Sequence, residues 1–207
     1  MKKVLTFLGA ALIATMGFNN TANAQVEQGN VIIDPYYGGP NFGKSFFDLF
    51  TTDNNIQGVE LTGIGPCGGR VEYLLADNFG LGIDFIYNSV AGTGTIDSLN
   101  GDGTIARSYD TKLYSRRFRV HLRANYHFVQ TDALVAYLGF GAGTNTRTIG
   151  ITSDYPNFDE GNVSGAIIPV SFRVAIGTRY YFTDNIGINA ELGIGGPVVS
   201  AGLSIKF

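Results

Sequence analysis

From Arg117 to Phe128 the chain alternates without a break. Phe118, Val120, Leu122, Ala124, Tyr126 and Phe128 are apolar, and Arg117, Arg119, His121, Arg123, Asn125 and His127 stand between them. A period of two is the mark of a β-strand with one apolar face. The pattern recurs: Val71, Tyr73 and Leu75 alternate with Arg70 and Glu72, and Phe79, Leu81, Ile83 and Phe85 with Gly80, Gly82 and Asp84. It returns over 170–182, 186–194 and 199–207, with Arg173, Arg179, Glu191 and Lys206 on the polar register.

Alternation alone also fits a soluble sandwich, whose apolar face points at a core. The connections separate the two. Ala76-Asp77-Asn78, Gln130-Thr131-Asp132 and Thr183-Asp184-Asn185 read as tight turns, whereas 41–57, 89–111 and 147–165 are long and polar. Short turns on one side and long loops on the other are the arrangement of outer-membrane barrels, the short turns being periplasmic. Eight strands are predicted, at about 29–38, 58–75, 79–88, 113–129, 133–146, 166–182, 186–195 and 198–207. The fold class is therefore all-β, an eight-stranded antiparallel up-and-down transmembrane β-barrel. Pro35 interrupts the first strand, and Pro66 among glycines predicts a bulge in the second. Gly195-Gly196-Pro197 leaves the fourth long loop almost absent.

Register follows from turn length, because directly opposed residues share a face. A three-residue turn at 76–78 opposes Arg70 to Asp84 and predicts an inward ion pair between them. The turn at 130–132 opposes Arg123 to Gly139, His121 to Gly141 and Arg119 to Gly143, laying long side chains over glycines. The turn at 183–185 puts Glu191 diagonal to Arg179, within salt-bridge reach. The predicted interior polar network is Arg70, Glu72, Asp84, Arg117, Arg119, His121, Arg123, His127, Arg173, Arg179 and Glu191, joined by Asp34 and Lys206. Bases outnumber acids in it, which predicts a wet lumen in which water and hydroxyls solvate the surplus. Outward aromatics form two girdles: Tyr73, Phe79, Tyr126, Phe128, Tyr180, Phe182 and Phe207 by the short turns, with Tyr37, Phe85, Tyr87 and Phe118 farther up.

Composition adds the route to the membrane. Lys2 and Lys3 precede an apolar run from Val4 to Phe18, and Ala22-Asn23-Ala24 has the form that signal peptidase accepts. Residues 1–24 are read as a cleavable signal peptide, and 25–207 as one outer-membrane barrel domain. After cleavage twelve bases stand against seventeen acids, a net charge of −5 that argues against a nucleic-acid partner. The chain has 29 Gly and 13% aromatic residues, a composition of strands and turns rather than helices. Cys67 is the lone cysteine and is read as a small strand residue, since no intramolecular disulfide can form.

The stretch from Gly68 to Tyr87, GGRVEYLLADNFGLGIDFIY, resembles a hairpin of the small outer-membrane barrels of the OmpA/OmpX type, also grouped as porin-like barrel domains. The ending LSIKF, with Phe207, resembles the signal that the outer-membrane assembly machinery reads in that family. The resemblance implies a fold and an outer-membrane location, and not one activity.

Nothing in the motifs points to catalysis or a cofactor. Gly63 to Gly68 matches G-x-G-x-x-G, but a strand follows where the dinucleotide motif needs a helix. His121 and His127 lie six residues apart on one strand, about 20 Å, too far to share a metal. Both face inward, away from any lipid substrate. Phe46-Phe47-Asp48-Leu49-Phe50 is an apolar patch that docks on the rim or meets a partner. Asp97, Asp102, Asp110, Asp154, Asp159 and Glu160 are loop acids, solvated or binding divalent cations at the surface. The reading is a non-enzymatic monomeric barrel among outer-membrane lipids, serving envelope integrity or surface interaction with an extracellular ligand through its loops. The alternatives are a narrow porin-like channel, favouring anions through its interior arginines, and an envelope lipid-modifying enzyme.

Overall fold

The computed structural model describes residues 25–44, 60–101, 105–156, 161–165 and 169–207. The predicted signal segment, the Phe46 to Phe50 patch, Asp102, Asp159, Glu160 and the side chain of Asp97 lie outside the described residues. Among the described residues ten strands form a single sheet: β1 (Val31–Gly39), β2 (Glu60–Thr62), β3 (Cys67–Ala76), β4 (Phe79–Leu99), β5 (Ile105–Gln130), β6 (Leu134–Ser153), β7 (Gly161–Gly165), β8 (Val170–Tyr181), β9 (Ile186–Ile194) and β10 (Val199–Lys206). Eight of them close a ring in the order β1-β3-β4-β5-β6-β8-β9-β10, every pair antiparallel. β10 returns to β1, so the sheet has no free edge at the barrel's waist.

Polarity is inverted relative to a soluble protein. Leu122, Phe172 and Ile194 are about seven-tenths exposed on the outside, while Asp34, Arg70, Asp84, Arg173, Arg179 and Glu191 are almost wholly buried within. On β5 the apolar stripe runs from Phe118 to Phe128, ten steps of about 3.3 Å, which at a tilt of about 40° spans roughly 25 Å. That is the apolar height of an outer-membrane-type barrel. Tyr87 opposes Phe118 at its upper limit and Phe79 opposes Tyr126 at its lower, and Tyr180 meets Phe182 edge-on at 5.5 Å between ring centroids.

Two predicted long loops turn out to be sheet. β4 and β5 remain paired from Ser89–Arg116 up to Leu99–Ile105, and β6 follows β5 to Ser153. β2 adds to the outside of β4, and β7 to β6. A five-stranded wall, β2-β4-β5-β6-β7, therefore stands above one side of the barrel. The opposite side ends low, at the tight turn through Gly195, which has φ +86°. The predicted second strand is split into β2 and β3 around Gly63–Pro66, while β1 runs unbroken through Pro35.

The turns correct the predicted register in one place. Ala76 opposes Phe79 and Leu75 bulges, so a two-residue turn plus a bulge restores Arg70 opposite Asp84 as expected. At the next turn Thr131 N donates to Leu134 O (2.8 Å) and Phe128 bulges, making the connection longer than predicted. The pairing slides by two residues, an even number that preserves the faces. Arg123 opposes Gly141, His121 opposes Gly143 and Arg119 opposes Asn145.

The raised hairpin is a separable addition to the barrel. Replacing 92–113 by an Asn-Gly turn between the paired residues Ala91 and Tyr114 is expected to leave a barrel that still migrates as a compact species on unheated gels.

Candidate functional site

The inner face is built in levels rising from the short turns. At the bottom Val26, Ile32, Leu74, Val135 and Tyr181 form a fully buried apolar cluster. The segment before β1 folds across this end: Gly29 N donates to Leu74 O (2.9 Å), Gln28 N to Asp77 Oδ1 (2.8 Å) and Lys206 Nζ to Gln25 O (2.9 Å). The base of the lumen is thus dry rather than wet.

Above it Asp34 and Glu72 clamp Arg179. Its Nη2 donates to Asp34 Oδ2 at 2.8 Å and to Glu72 Oε2 at 2.6 Å. Glu72 Oε1 also meets His127 Nε2 at 2.8 Å, and Ser204 Oγ donates to Asp34 at 2.7 Å. One level higher Glu191 gathers three guanidiniums: Arg70, Arg123 at 2.5 Å and Arg173 at 2.5 Å. Tyr137 Oη donates to the same carboxylate at 3.1 Å. Asp84 takes Arg123 at 3.3 Å and Arg173 at 3.5 Å and accepts from Tyr36 Oη at 2.6 Å. Tyr137 lies flat among the cations, with Arg179 4.4 Å from its centroid.

Two predicted pairs are therefore not made. Arg70 faces Asp84 across the ladder, yet its guanidinium crosses the lumen to Glu191 and to Asn189 Oδ1 (2.9 Å). Glu191 is diagonal to Arg179, yet Arg179 is held by Asp34 and Glu72. The reason is reach: register fixes neighbours within the wall, whereas a guanidinium on its long stem can cross to acids on other strands. Glycines make room for these heads. A Cβ at Gly139 would collide with the Arg123 guanidinium, and one at Gly177 with the Tyr137 ring.

Charge in the middle is balanced, with Asp34, Glu72, Asp84 and Glu191 against Arg70, Arg123, Arg173 and Arg179. The predicted cationic surplus lies at the ends. Lys206 sits at the bottom, 5.3 Å above the Tyr181 ring. Arg119 sits at the top, donating to Gly195 O at 2.6 Å and to Asn88 Oδ1 at 3.4 Å, and the half-buried Arg117 donates to Asn145 Oδ1 at 2.7 Å. His121 is buried opposite Asp84 and Gly143, but neither ring nitrogen meets a partner among the described residues. Asp84 is already engaged by Tyr36 and the two arginines.

Tyr36, Tyr137, Asn189, Ser204 and Val26 were absent from the predicted network. Tyr137 and Asn189 were legible by parity, two steps from Gly139 and Glu191. Val26 carries no such signal. Among the described residues no group of three or more His, Cys, Asp or Glu side chains converges as a metal site.

Breaking the Glu191 node exposes how tightly this middle is coupled. Glu191→Gln removes the charge that three buried guanidiniums share, and a loss of about 3–5 kcal/mol is expected from denaturant unfolding in detergent micelles. Arg117→Gln, at the half-buried mouth, is expected to cost under about 1 kcal/mol.

No family model matches the chain, and no curated protein matches it. Among solved structures it is similar to the N-terminal β-barrel domain of Pseudomonas aeruginosa OprF, at 18% identity and a TM-score of 0.45, over 87% of this chain and 99% of that one. It is also similar to Ail, the attachment invasion locus protein of Yersinia pestis, at 11% identity and a TM-score of 0.40, over 87% and 99%. The strand number, the closed up-and-down order and the apolar exterior around a polar interior make the protein an eight-stranded transmembrane β-barrel of the architecture found in the small OmpA/OmpX-type proteins.

Proposed function

We propose that this is a non-enzymatic outer-membrane barrel that does not conduct, and that works at its long-loop end in surface interaction or envelope integrity. The observation that carries the reading is the middle of the lumen. Asp34, Asp84, His121, Tyr137 and Arg179 have no solvent-accessible surface there, so no passage as wide as a water molecule runs past them. A lumen filled by paired charges is a tie between walls rather than a path. The height of the apolar band supports membrane residence, with the short turns periplasmic and the wall outside the cell. Closure of β10 on β1 leaves no edge for a second copy at the barrel's waist, which supports a monomer among outer-membrane lipids.

Export by a signal peptide cleaved after Ala24 fits the use made of the next residues, since Gln25 and Val26 are already engaged in the barrel base. Phe207 is exposed on the outer face by the short turns and paired through its backbone with Val31. The interior histidines support the non-enzymatic reading, since His127 is committed to Glu72 and both rings are walled off from lipid.

Reconstitution into planar bilayers tests the proposal. The refolded protein is expected to give no steady unit currents. Steady currents whose ion preference reverses when Arg119 and Arg123 are replaced by Glu would overturn it in favour of an anion-selective pore.

A further inference from the structure

Three arginines meet at the mouth of the barrel with no acid of the described residues paired to them. Arg117, Arg119 and Arg147 line a cavity of about 110 Å³, together with Asn41, Asn88 and Ser115. Arg117 and Arg147 are directly opposed on β5 and β6, so their like charges are held on adjacent strands with inward parity. Like charges placed directly opposite each other destabilise a sheet. No carboxylate of the described residues lies within ion-pair distance of any of the three.

Arg119 makes the case sharper. It is only 5% exposed, and its Nε has no partner among the described residues. A buried guanidinium short of a counter-charge is costly, and four arginines one level below each have a carboxylate. The neutral acceptors Gly195 O, Asn88 Oδ1 and Asn145 Oδ1 take one donor each from the upper arginines, well short of the five N–H groups a guanidinium carries. A small, multiply accepting anion would satisfy these donors together.

We propose that this vestibule binds a tetrahedral oxyanion, a phosphate or sulfate group, either free or as the ester of a soluble glycan. Such a group presents several acceptor oxygens to guanidinium forks, the pairing for which arginine is best shaped. The volume holds one such group, with water, and not a chain of ions. A headgroup of the surrounding leaflet is on the wrong side of the wall, because all three arginines stand on the inner register. The paired charges beneath make the site a dead end. It follows that the proposal stands whether or not the barrel conducts, since it rests on the mouth alone.

Calorimetric titration of the refolded protein in non-ionic detergent, at constant ionic strength, tests it with inorganic phosphate, inorganic sulfate, glucosamine 6-phosphate and chloride. Saturable one-to-one binding of phosphate or sulfate is expected, with chloride at least tenfold weaker. Arg117→Gln combined with Arg147→Gln is expected to weaken it at least tenfold. Both positions are at the rim, and folding is checked by gel migration. Arg116→Gln, on the outer face where Arg116 stacks on Tyr114 at 4.8 Å, is expected to leave it unchanged. Tighter binding of the sugar ester than of inorganic phosphate identifies a glycan ester as the occupant, and the reverse identifies the free ion. Absence of saturable binding, equal binding of chloride, or equal weakening by Arg116→Gln and the double variant would each overturn the proposal.

Discussion

The carboxylate of Glu191 is the point on which the interior turns. It projects from β9 and receives guanidiniums from β3, β5 and β8 and a hydroxyl from β6, so one side chain joins five of the eight walls. Backbone hydrogen bonds run only around the circumference of a barrel. Ties across it must come from side chains, and in a space without solvent they must cancel charge as they form. The rest of the inner surface follows from that demand. Gly139 and Gly177 are bare because an arginine head and a tyrosine ring lie on them, and Asp84 and Asp34 are the acids that the guanidiniums reaching Glu191 and Glu72 also require.

A balanced middle pushes the remaining cations outward. Lys206 finds a carbonyl and an aromatic face at one end, and Arg117, Arg119 and Arg147 gather at the other. The molecule is thus polarised along its axis, apolar at the base, neutral by pairing at the waist and cationic at the mouth. The mouth is also lopsided, since a five-stranded wall rises on one side and a tight turn through Gly195 closes the other low.

The faces of the strands were legible because inner and outer environments differ strongly above the apolar base, where the membrane-spanning segments keep a period of two. Partner choice was not. Alternation says that Arg70 points inward, but cannot say that it will bypass Asp84 for Glu191 on the far wall. Bulges at Leu75 and Phe128 hid in the same way: the first was absorbed by a shorter turn, and the second added to a longer one and moved β6 by two residues. The raised parts of β4, β5 and β6 were read as loops because both of their faces are wet above the rim. With no apolar side, the period that marks a strand disappears from the sequence.

That hidden pairing changes what the hairpin of β4 and β5 is mechanically. From Asn88 and Arg117 at the rim, the two arms stay in register to Ser98 and Arg107, ten steps or about 34 Å of ribbon. A slack loop would dissipate a touch at its tip. A paired ribbon acts as a lever, carrying a pull or twist down to its pivot, and that pivot lies beside Asn88 and Arg117, two of the residues that line the cationic mouth.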